Sequence, residues 1–442
     1  MKADLRGNPT SFLFQNPNLF VASSQPSSDL TGALRGCSSL GSLDGACTEK
    51  LLLHCASALE ANDVTLAQQV MWVLNNVASP TGDPNQRLTS WFLRALVSRA
   101  SRVCPNAPVT GFGGGNGVHT RLMTVTELAG YVDVIPWHRF GFCAANSEIL
   151  RAVQGQNRVH ILDFSITHCM QWPTLIDALA KRPEGPPFLR ISVMSGRPPV
   201  PPLLNASCEQ LGVRLANFAK FRDVPFEFNV IGSESDYIHQ EFPDFHHNFI
   251  LSCLTPSCLN LRPDEVLAVN CQNWLRYLPS RDTFIDAIKG LNPSIVTIVD
   301  EDCDLGGSSL VSRITTCFNY LWIPFDALET FLPKDSPQRI EYEADIGHKI
   351  ENIIGFEGDQ RIERLESGMK LSQRMKNNGF LSAPFCEDTI REVKSLLDEH
   401  ASGWGMKVED EMLVLTWKGH SAVYATTWVV SPQTQVDIEI KD

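Results

Sequence analysis

The chain has 442 residues, with 37 lysines and arginines against 50 aspartates and glutamates, so its formal net charge is −13. Hydrophobic residues make up 43% of it, which excludes a chain that is disordered throughout. The excess of acidic residues argues against a protein that binds nucleic acid through a large net positive charge. No apolar run is long enough to predict a transmembrane helix, and the N-terminal residues lack the apolar core of a secretory signal.

Cysteine usage favours a reducing compartment. The 13 cysteines are odd in number, scattered and without a C-x-x-C pair. Together with the missing signal sequence, this predicts reduced and mostly buried thiols rather than a disulfide framework.

The first part of the chain predicts a tail followed by helices. Residues 1–45 are rich in Ser, Gly, Asn and Pro and predict a flexible tail, and residues 46–442 predict one large domain. Residues 46–135 predict a mainly helical cap, with three short amphipathic helices between Cys47 and Ala100. Their apolar positions fit either helices that pack on one another or an exposed face that binds a partner. These positions include Leu52, Leu59, Leu66 and Val73.

Residues 136–442 predict an α/β core with helical insertions. Short apolar strands alternate with helices, which is typical of a doubly wound parallel sheet of Rossmann type. Hairpin-like segments near the C-terminus predict antiparallel strands at one edge of that sheet. The predicted parallel strands are 159–164, 188–194, 226–231, 266–270 and 295–299, and the hairpin segments are 405–409, 412–417 and 421–430.

Asp163 lies at the end of the first predicted strand, where a cofactor-binding sheet would continue into a glycine-rich turn. Residues 164–173 contain no glycine and several bulky side chains. The second strand ends at Met194 without the acidic residue that would hold a ribose. We therefore expect no nucleotide or S-adenosylmethionine cofactor. An active S-adenosylmethionine-dependent methyltransferase of Rossmann type is the alternative.

Other catalytic motifs are incomplete. The glycine-rich segment 111–117 lacks the G-x-G-x-x-G spacing and has no strand before it, so a phosphate-binding role is not predicted. Gly419 and Ser421 approach the G-x-S-x-G pattern, but Val423 replaces its last glycine, and the segment predicts a β-hairpin. His160 lies inside an apolar strand and is predicted to be a hydrogen-bonded core histidine rather than a catalyst.

Two groups of residues have metal-ligating side chains. A histidine and cysteine group is too irregular in spacing for structural zinc and predicts an ordinary loop with buried cysteines. An acidic group suits a divalent cation, a basic protein partner, or a solvated loop before a helix capped near Ser308 or Ser309. We favour the solvated loop and predict no metal site. The first group comprises His239, His246, His247, Cys253 and Cys258, and the second Asp300, Glu301, Asp302 and Asp304.

DNA-reading motifs are also missing from the sequence, which has no zinc-finger, basic-zipper or homeodomain pattern. Lys370, Arg374 and Lys376 form one small basic group on a predicted helix. This group could contact phosphates, and an exposed helix face explains it equally well.

Five sequence blocks follow one another along the chain. Two are leucine-rich, 47–100 and 211–221, and the second contains Leu211 and Leu215. The others comprise Val159, His160, Ile161, Leu162 and Asp163 followed by Gln171, Trp172 and Pro173; then Glu357, Gly358, Arg361, Glu363 and Arg364; and finally Trp404, Trp417 and Trp428. In this order the chain resembles the GRAS family of plant transcriptional regulators, in a scarecrow-like branch, with its leucine-rich, VHIID, PFYRE and SAW regions.

The chain departs from the family pattern in a few places. Leu162 replaces the second isoleucine of VHIID, and residues 167–170 stand where the family usually has a glycine. Leu365 lies where histidine is usual, and the SAW tripeptide reads Thr426-Thr427-Trp428.

The resemblance implies a methyltransferase-like α/β core with an α-helical cap. It implies a non-enzymatic nuclear regulator of transcription in plant development, without cofactor or membrane association. The implied partners are transcription factors, including zinc-finger proteins, and other GRAS proteins in homo- or heterodimers, with direct DNA contact in some members.

Roles for single residues follow from the matched blocks. Asp163, Gln171 and Trp172 are expected to shape the switch-point region of the sheet. The PFYRE charges are expected to form structural ion pairs near it or to lie at an interface, and the SAW tryptophans to anchor the terminal strands. The expected partner-binding positions are Leu52, Leu59, Leu66, Val73, Leu211 and Leu215.

Overall fold

The computed structural model describes residues 45–103, 122–165, 169–195, 203–232, 243–307, 309–400 and 402–432. Apart from Gly45, the predicted tail lies outside these residues, as do segment 111–117, Thr167, His168 and His239. No helix within these ranges is both long and apolar enough to span a membrane. The cysteines within them are thiols, most of them buried as predicted, while Cys258 is exposed.

The described residues alternate between helices and strands. The helices are α1 (Gly45–Glu60), α2 (Val64–Val77), α3 (Pro84–Val103), α4 (Val125–Val134), α5 (Trp137–Ala152), α6 (Trp172–Ala180), α7 (Cys208–Phe221), α8 (Pro243–Cys253), α9 (Arg281–Gly290), α10 (Leu310–Phe331), α11 (Pro337–Gly355), α12 (Gly368–Asn377) and α13 (Glu387–Asp398). The strands are β1 (Leu122–Met123), β2 (Arg158–Ser165), β3 (Phe188–Met194), β4 (Leu203–Leu204), β5 (Phe226–Ile231), β6 (Val266–Gln272), β7 (Ile295–Glu301), β8 (Phe380–Ser382), β9 (Trp404–Glu409), β10 (Met412–Trp417) and β11 (His420–Val430).

Nine strands of the described residues form the main sheet, in the order β5-β3-β2-β6-β7-β11-β10-β9, with β8 paired to β11. The first five are parallel and follow the order 3-2-1-4-5 of doubly wound dinucleotide-binding sheets. The last three are antiparallel to their neighbours. The predicted Rossmann-type core with antiparallel C-terminal strands is therefore confirmed. β1 and β4 form a separate parallel pair.

Strand β2 is packed against apolar residues on both faces of the sheet. Every residue of this strand after Arg158 is buried, so the sheet is covered on both sides. Because side chains alternate along a strand, Ile161 packs in a cluster that includes α5 and α6. Leu162 points to the opposite face and packs in a cluster that includes α9 and α12.

The described residues divide into two compact units. The helical unit contains residues 45–103 and 303–364, and the sheet unit contains residues 122–302 and 365–432. Helices α10 and α11 therefore group with α1–α3, although the sequence pattern placed them among the insertions of the α/β core. The packing of α11 on α3 needs a glycine: a Cβ at Gly347 would lie 2.1 Å from a ring carbon of Trp91.

The turn between α1 and α2 follows from local signals. Asn62 has a φ of 57°, which asparagine tolerates better than most residues. Asp63 caps α2, because its side chain accepts a hydrogen bond from the Leu66 amide at 3.0 Å. Asn62 and Asp63 therefore form the turn and the cap that separate the two helices.

Tryptophans anchor the C-terminal strands. Trp404 and Trp417 are direct partners across β9 and β10, with ring centroids 4.7 Å apart. Trp428 is buried on β11, and its Nε1 donates to Thr426 Oγ1 at 3.0 Å. The expectation that the SAW-region tryptophans are core anchors agrees with this packing.

A substitution at Gly403 tests the packing around Trp417. Its φ is +124°, and a Cβ there would lie 2.7 Å from the Trp417 ring. Gly403→Ala should lower the free energy of unfolding by about 3 kcal/mol, because backbone strain and overpacking add. Gly419→Ala is the matched control: its φ is +86° but a Cβ meets nothing within 4 Å, so we expect a loss of about 1 kcal/mol. Urea unfolding measures both, and equal losses would contradict the Trp417 constraint.

Candidate functional site at the switch point

The carboxyl end of β2 carries a buried carboxylate. Asp163 Oδ1 accepts a hydrogen bond from Asn270 Nδ2 at 2.9 Å. Its Oδ2 accepts from Trp172 Nε1 at 2.9 Å and from Ser165 Oγ at 3.1 Å. Asp163 is only 4% exposed, so these donors replace the water that a free carboxylate would bind.

Gln171 extends this network to a helix. Its Nε2 donates to Asn146 Oδ1 on α5 at 2.9 Å, and its Oε1 accepts from Asn270 Nδ2 at 3.1 Å. Thr297 of β7 donates to Asn270 Oδ1 at 2.8 Å. The polar side chains at this end of β2, β6 and β7 therefore bond to one another in a buried, connected set.

Helix α6 begins at Trp172, after the end of β2. Trp172 is fully buried, and Pro173 lies in the first turn of α6, where its missing N–H is not needed. Ligands of open α/β sheets bind beyond the carboxyl ends of the strands, at the switch in strand order. In this chain the indole of Trp172 and the hydrogen-bonded side-chain amides of Gln171 and Asn270 lie at that position.

The structure brings together three predicted residues, Asp163, Gln171 and Trp172. Sequence reasoning missed Asn146, Asn270 and Thr297, which complete the network. The signal available for Asn270 was its position as the polar end of an otherwise apolar predicted strand.

His160 belongs to the other face of β2. Its Nε2 lies 2.8 Å from Ser192 Oγ, and its Nδ1 accepts from Arg190 at 3.0 Å. Burial, and then the charge of Arg190, lower the pKa of His160 to about 3. Arg190 is itself paired with Glu265. His160 is therefore a neutral, hydrogen-bonded core histidine, as predicted.

A second buried charge cluster lies at the ends of β6 and β7. Arg276 Nε donates to Asp300 Oδ1 at 2.9 Å, and Arg276 Nη1 donates to Glu301 Oε1 at 2.6 Å. The prediction of a solvated loop was wrong for Asp300 and Glu301, because β7 continues to Glu301 and both carboxylates are buried against the arginine. Asp302 and Asp304 lie in the loop that follows and are partly exposed. The predicted cap near this point is confirmed at Ser309, whose side chain accepts from the Ser312 amide.

His138 of α5 lies beside this cluster. Its Nδ1 is 3.4 Å from Asn273 Nδ2, and its carbonyl oxygen accepts from Gln272 Nε2 at 3.3 Å. Burial, followed by the charge of Arg276, lowers the pKa of His138 to about 4. Nothing in the sequence pattern had singled out His138 or Arg276.

The predicted histidine and cysteine loop is a helix in part. His246 and His247 lie on α8, and the loop prediction for them was wrong. Cys253 is buried, whereas Cys258 is exposed. Within the described ranges, no group of three or more His, Cys, Asp or Glu side chains has a metal-binding arrangement. Gly419 and Ser421 lie in the hairpin of β10 and β11, as predicted.

The PFYRE-region charges lie in the helical unit, whereas the Asp163 network lies in the sheet unit. Glu357 pairs with Arg313 and, at 2.8 Å, with Arg99, and Glu363 lies 3.5 Å from Lys349. The block's two arginines also bond to main-chain carbonyls. Arg361 donates to Leu305 O at 3.2 Å, and Arg364 donates to Gly358 O at 2.9 Å.

The leucine-rich positions are mostly interior. Leu52, Leu59 and Val73 are buried in the helical unit, and Leu211 and Leu215 are buried in the sheet unit. Leu66 is half-buried on α2. Of the two alternatives, helices that pack on one another account for the buried positions, since their side chains are covered by the chain itself.

The small basic group on α12 is partly neutralised. Arg374 pairs with Asp282 and, at 2.8 Å, with Glu366. The hydrogen bond to Glu366 is the main reason why the pKa of Arg374 is raised. An exposed helix face therefore describes this group better than a phosphate site does.

Asp163→Asn tests the switch-point network. An amide in place of the carboxylate would set its NH₂ group against the N–H of Trp172 or of Asn270. We expect the free energy of unfolding to fall by about 3 kcal/mol, because a buried donor loses its acceptor. Ser165→Ala removes a single donor at 3.1 Å and should cost about 1 kcal/mol. Urea unfolding compares them, and a neutral Asp163→Asn would refute the network.

The buried histidines predict a pH dependence. Their folded-state pKa values lie below the unfolded value near 6.5, so the folded chain binds fewer protons. Their contribution is complete above pH 6.5 and is lost as pH falls toward 4 and 3. For His160 the loss by pH 5 is about 2 kcal/mol, and His160→Gln should remove it. Urea unfolding at pH 7 and pH 5 measures this, and parallel profiles for both proteins would contradict it.

Comparison with known proteins supports the same fold. A model of the GRAS domain family matches residues 48–429. The chain is 46% identical to Scarecrow-like protein 32 of Arabidopsis thaliana, over 90% of this chain and 95% of that protein. It is 31% identical to Scarecrow-like transcription factor PAT1 of the same plant, over 85% of this chain and 75% of that protein.

A solved structure is similar along most of its length. The crystal structure of SCL7 from Oryza sativa superposes with a TM-score of 0.69 at 26% identity, covering 86% of this chain and 99% of that one. The family match, the identities and the shared architecture agree with the block order along the sequence. The chain therefore belongs to the GRAS domain family.

Proposed function

We propose that this chain is a non-enzymatic regulator of transcription in plant development, acting in the nucleus through contacts with other proteins. Membership of the GRAS family and similarity to a relative named a transcription factor support the regulatory part. The observation that carries the non-enzymatic part is the buried Asp163 network, because the chain's own side chains line the switch point of the sheet.

The outer face of α2 is the surface we assign to partner contacts. Helix α2 contains no charged residue, although its outer face is accessible to solvent. Trp72, at 50% exposure, is the large apolar side chain on that face. The polar residues around it are Thr65, Gln68, Gln69, Asn75 and Asn76.

This composition is typical of an interface. The exposed faces of surface helices usually carry charges, whereas the centres of protein interfaces are depleted of charge and enriched in tryptophan. The chain has a net charge of −13, so an uncharged face reduces the electrostatic repulsion between two acidic chains that bind there. Partners of this face are, in our proposal, other GRAS chains or transcription factors.

Trp72→Ala is the direct test. If α2 is the contact, the variant should bind nuclear partners and other copies at least tenfold more weakly, because a central tryptophan often carries 2 kcal/mol or more. Ile340→Ala is the matched control, since Ile340 is 60% exposed on α11, a helix with many charges. Sedimentation and quantitative affinity purification from plant nuclei measure the effect. Equal binding by the two variants would remove α2 from the proposal.

The methyltransferase alternative has its own test. Calorimetry of the purified chain with S-adenosylmethionine should give no binding heat at micromolar cofactor. A stoichiometric isotherm would overturn the non-enzymatic proposal.

Direct DNA contact is tested by electrophoretic shifts over a salt series. Phosphate contacts give a steep loss of affinity as salt rises. A shift at low salt that weakens in this way would add DNA binding to the partner contacts, and no shift would leave the protein contacts alone.

A further inference from the structure

We propose that the outer edge of β9, together with the acidic turn that follows it, is a docking surface for a basic, extended segment of a protein partner. This inference rests on the proposed action through protein partners and names the chemistry of one partner segment. It concerns the sheet unit, whereas the α2 face belongs to the helical unit.

β9 ends the main sheet. It pairs with β10 on one side, and apart from a local bridge between Ser402 and Trp404 no described strand pairs with its other side. An open edge presents alternating N–H and C=O groups, which an extended segment can pair with as an added strand.

The side chains of β9 suit an added strand. Trp404, Met406 and Val408 share one face of the strand because side chains alternate. Their burial falls along the strand, from the buried Trp404 to Val408 at 57% exposure. Apolar residues of an incoming strand would find cross-strand partners in Met406 and Val408.

The charge around this edge selects the partner. Glu409, Asp410 and Glu411 are consecutive and exposed. Lys407 is paired with Glu409 on the same strand at 2.5 Å, so it does not offset the rest of the turn. Helix α13 packs against β9 and adds further exposed carboxylates. Its exposed charges are Glu387, Asp388, Glu392 and Asp398 against Arg391 and Lys394. A segment bearing lysine or arginine complements this surface.

The two acidic residues of the turn between β9 and β10 have an unfavourable backbone conformation. Asp410 and Glu411 have φ values of 47° and 67°, and they are the two residues between Glu409 and Met412, which pair across the hairpin. Such turns favour Asn-Gly, since glycine alone adopts this conformation without steric cost. The next hairpin uses a glycine in the corresponding place, with Lys418 at 48° and Gly419 at 86°.

Substitutions in this strained turn can change peptide binding and stability in opposite directions. In the double variant Asp410→Asn, Glu411→Gly, two carboxylates are removed and the turn receives its preferred residues. We expect the melting temperature to rise while binding falls at least tenfold. The probe is a fluorescent short peptide of alternating lysine and valine, followed by anisotropy at low salt. The same peptide with proline in place of valine should bind weakly, because proline cannot donate to a strand edge.

Two controls match the double variant. Lys418→Asn gives the neighbouring hairpin the same favoured pair and should leave peptide binding within twofold of wild type. Asp335→Asn with Asp359→Asn removes the same charge from exposed positions of the helical unit and should do likewise.

The proposal is overturned if the turn variant binds the peptide as tightly as wild type. It is also overturned if the proline peptide binds equally well, or if the charge-matched control loses as much affinity. Any of these results would leave the Trp72 test of the proposed function untouched. Loss of the Trp72 effect with peptide binding intact would instead remove the α2 contact alone.

Discussion

The carboxylate of Asp163 is the interaction on which the switch point of the sheet depends. A buried charge is tolerated only where donors replace the water it has lost. Here the donors come from different elements, Trp172 of α6, Asn270 of β6 and Ser165 of β2 itself. Satisfying one charge therefore links two strands and a helix.

The same constraint governs the other buried charges of the sheet unit. Arg190 is paired with Glu265, and Arg276 is paired with Asp300 and Glu301. These buried charges are paired within the chain, so the proposed partner contacts use exposed groups. The α2 face offers an exposed indole without charge, and the β9 edge offers backbone groups beside carboxylates. Contacts of the first kind depend on buried aromatic area, and contacts of the second kind weaken as salt rises.

Much of the fold could be predicted from local pattern. Alternating apolar runs and helices are enough to predict a parallel sheet, because parallel strands need crossovers. The end of the first strand at Asp163 was sufficient to place a candidate site at the switch point. Asn146 and Thr297 could not be found in this way, since a lone polar residue in a helix or strand has no recognisable partner until distant elements meet.

Two groups show where local pattern misleads. Consecutive acids such as Asp300 and Glu301 indicate solvent, because charged side chains are rarely buried, yet Arg276, 24 residues before Asp300, pairs with both inside the fold. Leucines in a leucine-rich helix suggest a partner face, yet the neighbouring helices cover most of them. The sequence by itself determined the elements and their order, because periodicity is encoded within a few residues. Only the tertiary structure decided which charges are compensated and which faces stay open, because both depend on contacts between residues far apart in the chain.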